Sequence, residues 1–262
     1  MFAKRVVSAV LLLSIVAATV FLDWFFNCAI LFFIACGLFE FFSMIEKKGV
    51  TPYTYFGILM GCIIPVSIMM RFELTARWEL LFIVLTLLFL IIMLFKRSHN
   101  SGVVLDISTT VFGIIYVAWF FSFIIKVRYF PVGGMGLFIA LLSMTKLGDI
   151  GAYLVGKQFG KRPLFPRISP KKTVEGAMGG LLFSVMGALA CRQFLHTDFV
   201  QTVLVGLLIG VFAQLGDLAE SLMKRDCEVK DSGKILPGMG GVLDVMDSLL
   251  FTAPVFYFYI NL

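Results

Sequence analysis

Residues 216–248 hold the densest group of charged side chains in the chain, and strongly apolar segments flank them on both sides. Because charge near membrane depth is energetically expensive, such a group predicts a functional site. Asp217, Ser221 and Lys224 stand at i, i+4 and i+7, so on a helix they share one face. Asp244 and Asp247 stand at i and i+3 and also share a face.

A glycine-rich turn at residues 237–241 separates these two acidic helix ends. The spacing therefore predicts that the carboxylates face each other across the turn. Carboxylate oxygens suit Mg²⁺, which prefers octahedral oxygen ligands and often bridges to phosphates. Backbone N–H groups of a glycine-rich turn, with Lys and Arg side chains nearby, suit phosphate. A helix hairpin with salt-bridged, solvated ends is the simpler alternative for the same pattern.

The same stretch resembles the signature of the phosphatidate cytidylyltransferases, also called CDP-diacylglycerol synthases. That signature runs S-x-x-K-R-x4-K-D-x-G-x2-hydrophobic-P-G-H-G-G-x-x-D-R-x-D. The chain departs from it at Met239, where the family usually has His, and at Val245, where it usually has Arg. The matching positions are Ser221, Lys224, Arg225, Lys230, Asp231, Gly233, Pro237, Gly238, Gly240, Gly241, Asp244 and Asp247.

A second charged region covers residues 146–176. Lys146 and Asp149 lie at i and i+3 inside an apolar run, which is also the pattern of an internal ion pair that neutralises both charges. Ser169 and Pro170 read as the N-cap and first residue of the next helix. Lys171 and Lys172 would then stand at a helix N-terminus, which is a natural anion site. An ordinary basic cytoplasmic loop is the alternative.

This second region resembles the same family. Residues 149–153 match its D-x-G-A-Y element, and residues 169–176 match its S-P-K-K-T-x-E-G element. The resemblance implies that CTP and phosphatidate react to give CDP-diacylglycerol and pyrophosphate. A phosphate monoester is close to a dianion at pH 7, so the acceptor needs no general base. The reaction instead needs charge neutralisation and in-line positioning.

The resemblance also implies roles for individual residues. Catalysis is expected of Asp217, Asp244 and Lys224. The expected ligands of Mg²⁺, and of a second cation such as K⁺, are Asp149, Asp217, Asp244 and Asp247. The residues expected to bind substrate are Ser169, Lys171, Lys172, Ser221, Arg225, Lys230 and Asp231. Because the acceptor needs no base, we expect Met239 to serve loop packing and the chain to be active.

The composition predicts an all-α integral membrane protein. Hydrophobic residues make up 60% of the 262 residues, whereas soluble proteins have roughly 45–50%. We predict one polytopic membrane domain over residues 1–262, with 1–130 mainly scaffold spans and 136–260 the catalytic half. Each apolar run is near the ~20 residues that cross a bilayer. The nine predicted spans are 6–22, 24–43, 53–70, 78–95, 103–125, 136–156, 173–191, 200–223 and 244–260.

The distribution of Lys and Arg predicts the orientation. With the N-terminus in the cytoplasm, 16 of the 22 basic residues lie in cytoplasmic segments and 5 on the opposite side. That asymmetry favours a cytoplasmic N-terminus and an outside C-terminus, in the inner (cytoplasmic) membrane. The net charge of +6 indicates contact with anionic lipids. Nucleic acid is not an expected partner, because the sequence has no basic nucleic-acid-binding module. The expected partners are CTP, phosphatidate and membrane lipids, and a homodimer is a candidate assembly.

Two other functions stay open at this point. One is a CTP-dependent enzyme with another lipid substrate, such as a polyprenol kinase or a cytidylyltransferase for an ether- or prenyl-lipid phosphate. The other is a secondary transporter, which usually has broken spans and internal repeats with ionisable residues in both halves. In this chain the charges cluster in the second half. Glu40 and Glu46, in the first half, are interpreted as interfacial anchors without a catalytic role.

Overall fold

A computed structural model describes residues 14–15, 17–70, 75–94, 102–236, 238 and 240–262, with no side-chain description for 75–79 and 93–94. The described residues are mostly helical. The chain divides into two compact units, each of which is discontinuous in sequence. The helices and strands are α1 (Asp23–Glu46), α2 (Thr54–Met69), α3 (Thr75–Leu94), α4 (Val103–Arg128), α5 (Gly134–Phe159), β1 (Pro163–Phe165), β2 (Ser169–Thr173), α6 (Val174–Ala190), α7 (Arg192–Leu195), α8 (Phe199–Asp226) and α9 (Leu243–Ile260).

The first unit comprises Met1–Ile125 and Cys227–Met246. Its core is built around α1, where Phe26, Leu38 and Phe42 have no exposed surface. A π-helical segment, Ile114–Trp119, interrupts α4. The loop at residues 227–242, called the signature loop, and the first turn of α9 also belong to this unit.

The second unit comprises Lys126–Asp226 and Asp247–Leu262. Its helices α5 and α6 pack along a seam of small residues, which let two backbones approach closely. A side chain at Gly151 would run into Phe183, and one at Gly187 would reach the backbone oxygen of Ser143 at 3.0 Å. The antiparallel pair β1–β2 connects α5 to α6, with Phe165 opposite Ser169.

The apolar helices agree with most of the predicted spans. In the described residues, five helices are long and apolar enough to cross a membrane. Three shorter apolar helices, Thr54–Met69, Leu80–Ile92 and Val174–Ala190, coincide with three further predicted spans. The predicted span 6–22 lies largely outside the described residues. The prediction of an all-α membrane protein thus holds apart from the short β-hairpin, while the count of nine stays a prediction.

The prediction that Ser169 and Pro170 open a helix is wrong. Residues 169–173 form β2, and α6 begins at Val174. The cap is Thr173, whose Oγ1 accepts a hydrogen bond from the Gly176 N–H at 3.1 Å. The physical reason is that the fixed φ of proline also suits an edge strand, and a threonine can cap as serine does.

Candidate functional site

Lys146 and Asp149 form the ion pair that was the alternative interpretation of their i and i+3 spacing. The Lys146 Nζ donates to the Asp149 Oδ2 at 3.1 Å, and each side chain is 39% exposed. Ser248 completes a triangle, since its Oγ lies 3.0 Å from both the Lys146 Nζ and the Asp149 Oδ2. This triangle joins α5 to Ser248, in the part of α9 that belongs to the second unit.

A second ion pair joins two sequence segments that lie far apart in the chain. The Lys172 Nζ lies 2.5 Å from the Asp217 Oδ2, which ties the end of β2 to α8. Beside it, the Arg225 Nε donates to the backbone oxygen of Ile168 at 3.3 Å. The two charged regions of the sequence therefore meet in this unit, which their spacing alone did not reveal.

Asp247 lies among the charges of both pairs. Its carboxylate interacts electrostatically with the charges of Asp217, Lys146 and Asp149. Its Oδ1 also accepts a hydrogen bond from the Ser248 N–H at 2.5 Å. We call Lys146, Asp149, Lys172, Asp217 and Asp247 the acid–lysine cluster. With three carboxylates and two ammonium groups it has a formal charge of −1, so bringing phosphates to it requires further positive charge.

The other predicted site residues of the second unit have different surroundings. Lys224 is buried, and its Nζ lies 3.3 Å from the Oε1 of the fully buried Glu220. Ser221 and Ser169 are half-buried, whereas Lys171 and Arg225 are exposed. Lys171 is thus open to an anion, while the Lys224 ammonium already has a carboxylate beside it. The substrate-binding and catalytic roles of these residues stay predictions.

Asp244 belongs to the first unit, where loop groups surround its carboxylate. Its Oδ2 accepts hydrogen bonds from the Ser232 N–H at 2.9 Å and the Gly241 N–H at 2.7 Å, and it lies 3.0 Å from the Ser232 Oγ. Lys230 and Asp231 are exposed in the same loop. Pro237 and Met239 lie outside the described residues.

The donor set of the acid–lysine cluster fits Mg²⁺ in kind, because carboxylate and hydroxyl oxygens are the ligands that this ion prefers. Two of the carboxylates form ion pairs, Asp149 with Lys146 and Asp217 with Lys172. Within the described part of the chain, no three His, Cys, Asp or Glu side chains converge closely enough to hold one ion. The metal ligands predicted from the sequence therefore stay a prediction.

Three polar residues in these networks were not predicted from the sequence to belong to a site: Ser248, Ser232 and Glu40. The interpretation of Glu40 as an interfacial anchor is wrong, because its side chain is only 3% exposed and bonds the signature loop. One signal was available, since Glu40 stands alone inside the apolar run 24–43. An ionisable residue within a span is a functional-site hypothesis by default.

Comparison with known proteins matches the chain to the cytidylyltransferase family over residues 3–262. A Synechocystis protein named phosphatidate cytidylyltransferase is 34% identical over 292 residues, covering 99% of this chain and 96% of that protein. The phosphatidate cytidylyltransferase of Bacillus subtilis is 43% identical over 150 residues, or 56% of each chain. A Staphylococcus aureus protein of the same name is 41% identical over 160 residues, or 60% of each. The chain therefore belongs to the cytidylyltransferase family.

Proposed function

We propose that this chain transfers the cytidylyl group of CTP to phosphatidate, giving CDP-diacylglycerol and pyrophosphate for phospholipid synthesis. Support comes from the similarity to the Synechocystis phosphatidate cytidylyltransferase along nearly the whole of both chains. The observation that carries the proposal in the structure is the Lys172–Asp217 pair, because it brings the two family-like segments of the sequence together.

The reaction needs few chemical groups from the protein. A phosphate oxygen of phosphatidate bonds to the α-phosphorus of CTP, the bond from that phosphorus to the bridging oxygen breaks, and pyrophosphate leaves. The acceptor is already anionic at pH 7, so no side chain has to remove a proton from it. The task of the protein is to neutralise phosphate charge and to align the two oxygens with the phosphorus.

Basic groups around the cluster are suited to that task. Lys171 is exposed beside Lys172, and Arg225 is exposed near Ile168. We assign these side chains to phosphate binding, with Lys172 moving its ion pair from Asp217 to a phosphate. Carboxylates of this cluster would hold Mg²⁺ once Asp149 and Asp217 leave Lys146 and Lys172, and the bound ion would supply positive charge for the CTP phosphates. The nature of a second cation such as K⁺ stays part of the proposal.

The activity is tested with the purified protein in lipid micelles, Mg²⁺ and CTP labelled at the α-phosphate. The expected result is label in a lipid product, and release of pyrophosphate, when phosphatidate is the acceptor. Parallel reactions with a polyprenyl phosphate and the same CTP, and with a polyprenol and CTP labelled at the γ-phosphate, test the alternative lipid substrates. Label transferred to a prenyl acceptor and not to phosphatidate would contradict the proposed substrate. Absence of any CTP turnover would contradict an enzymatic function.

The membrane topology is a separate prediction. We propose nine spans with the N-terminus in the cytoplasm, based on the apolar runs and on the basic asymmetry. A reporter enzyme fused after Leu262 is expected to be active only on the non-cytoplasmic side. The control is the same reporter fused after Asp226, at the cytoplasmic end of α8 in this topology. Cytoplasmic activity of the Leu262 fusion would mean that the span count differs by one.

Met239 gives a further prediction, because the family usually has His at this position. We expect the chain to be active as it stands, since the acceptor needs no base and methionine is an uncharged gap-filler. The measurement compares cytidylyl transfer by the natural protein and by Met239→His. Similar rates are expected. An inactive natural protein that gains activity on Met239→His would show that the histidine is essential.

A further inference from the structure

Glu40 is an acidic side chain in the apolar helix α1, which is long enough to cross a membrane. Only 3% of its surface is exposed. A carboxylate in such surroundings is retained at a large desolvation penalty unless it is hydrogen-bonded. The groups that bond it therefore indicate what it is for.

Glu40 accepts one hydrogen bond from the signature loop and one from the first residue of α9, both in the same unit. Its Oε2 accepts from the Leu243 N–H at 2.9 Å and from the Ser232 Oγ at 3.1 Å. The same Oγ lies 3.0 Å from the Asp244 Oδ2, and the Ser232 N–H donates to that oxygen at 2.9 Å. Ser232 thus bridges the carboxyl groups of Glu40 and Asp244.

The first N–H of α9, at Leu243, needs a hydrogen-bond acceptor from another part of the chain. The first N–H groups of a helix have no partners within the helix. The residues before Leu243 are Gly241 and Val242, and neither has a side-chain acceptor. Glu40 supplies from α1 the acceptor for the Leu243 N–H, while Asp244 reaches back to the Gly241 N–H at 2.7 Å. A carboxylate at this end also interacts favourably with the helix dipole.

Two glycines of the loop, Gly233 and Gly241, lie so close to the Glu40 carboxylate that there is no room for a side chain at either position. A Cβ added at Gly233 would clash with the Oε1 and Cδ of Glu40. A Cβ at Gly241 would clash with the Oε2 of Glu40 and with the Ser232 Oγ. The backbone therefore passes close to the carboxylate at two separate points, which any larger residue would prevent.

We infer that Glu40 is a positioning residue of the reaction: it fixes Ser232 and the first N–H of α9, and so holds the Asp244 carboxylate in one orientation. The inference rests on the proposed function and on the expectation from the sequence that Asp244 is a catalytic and metal-binding residue. Glu40 itself does not contact the substrate. Its effect passes through Ser232 and through the backbone of the loop.

The test compares Glu40→Gln with Glu40→Leu. Glutamine retains a carbonyl oxygen that accepts from both donors, so Glu40→Gln is expected to keep kcat within about threefold of the natural value. Leucine removes the acceptor, so Glu40→Leu is expected to lower kcat by about 10–100-fold, the range for residues that orient a metal ligand. The KM for phosphatidate is expected to stay unchanged in both variants, and the half-saturating Mg²⁺ concentration to rise in Glu40→Leu.

Two further variants separate positioning from general damage. Glu46→Leu removes a carboxylate from the exposed end of the same helix, and it is expected to leave kcat unchanged. Ser232→Ala removes the hydroxyl that lies between Glu40 and Asp244 and leaves α1 unchanged. This variant tests the inference even if Glu40→Leu does not fold. It is expected to lower kcat over the same range. Normal kcat in Ser232→Ala and in Glu40→Leu would overturn the inference, and so would equal losses in Glu40→Gln and Glu40→Leu.

Amide hydrogen exchange gives a readout that does not depend on activity. The N–H groups of Ser232, Gly241 and Leu243 are expected to exchange faster in Glu40→Leu than in Glu46→Leu, because local opening becomes easier. Unchanged exchange would overturn the inference whether or not the enzyme is active. If the natural protein made no CDP-diacylglycerol but these N–H groups still exchanged faster in Glu40→Leu, the proposed function would fail, while the part of the inference that concerns how Glu40 holds the loop would stand.

Discussion

Asp217→Asn is expected to lower cytidylyl transfer from CTP to phosphatidate by at least about a hundredfold, while the protein stays folded in the membrane. Replacing even an outer partner of a metal ligand typically lowers activity or metal affinity by 10–100-fold, and Asp217 is expected to contact the ion itself. The substitution also leaves the Lys172 ammonium without the carboxylate that lies 2.5 Å from it. Both effects remove charge balance where the CTP phosphates are expected to bind.

The matched control is Asp226→Asn, which makes the same change at the exposed last residue of the same helix. It is expected to keep normal activity. Initial rates are measured for both variants over a range of Mg²⁺ concentrations, together with their amounts in the membrane fraction. Near-normal rates for Asp217→Asn at ordinary Mg²⁺ would show that Asp217 is not a metal ligand. Loss of the variant from the membrane fraction would point to a folding defect instead.

The sequence predicted the helical architecture well because an apolar run near ~20 residues has the length that a membrane-spanning helix needs. The internal pair of Lys146 and Asp149 was also predictable, because both residues lie on one helix and their spacing sets their distance. The β-hairpin at residues 163–173 was missed. Its strands are only three and five residues long, and Pro170 suits a helix start as well as an edge strand.

Contacts between distant segments were beyond the sequence pattern. Lys172 and Asp217 were each assigned to the site, but nothing in their spacing showed that they pair. Glu40 and Ser232 are separated by 192 residues, and their hydrogen bond depends on how α1 packs against the loop. Such contacts follow from tertiary packing, which single-sequence periodicity does not encode. Glu40 shows the practical consequence: it was interpreted as an interfacial anchor, because the sequence does not show that it meets Ser232.

Gly216→Ala is expected to lower both the rate of cytidylyl transfer and the free energy of unfolding. This is the opposite of the usual effect, because alanine normally stabilises a helix by about 1 kcal/mol relative to glycine. A Cβ at Gly216 would stand 2.5 Å from the backbone oxygen of Asp247 and 3.3 Å from the Phe251 ring. A backbone oxygen cannot rotate away as a side chain does, so the two helices have to separate. We expect a loss of about 1–3 kcal/mol in the free energy of unfolding, as for other overpacked sites.

The same separation should disturb the acid–lysine cluster, because Gly216 precedes Asp217 and the clashing oxygen belongs to Asp247. Gly148→Ala is the matched control, since Gly148 precedes Asp149 in the same cluster. Its added Cβ would meet nothing closer than 3.5 Å, which is ordinary contact. We expect Gly148→Ala to keep its activity and to gain up to about 1 kcal/mol from helix propensity. Thermal unfolding in detergent and cytidylyl transfer are measured on both variants. If the two alanine variants behaved alike, close packing at Gly216 would not be what holds Asp217 near Asp247.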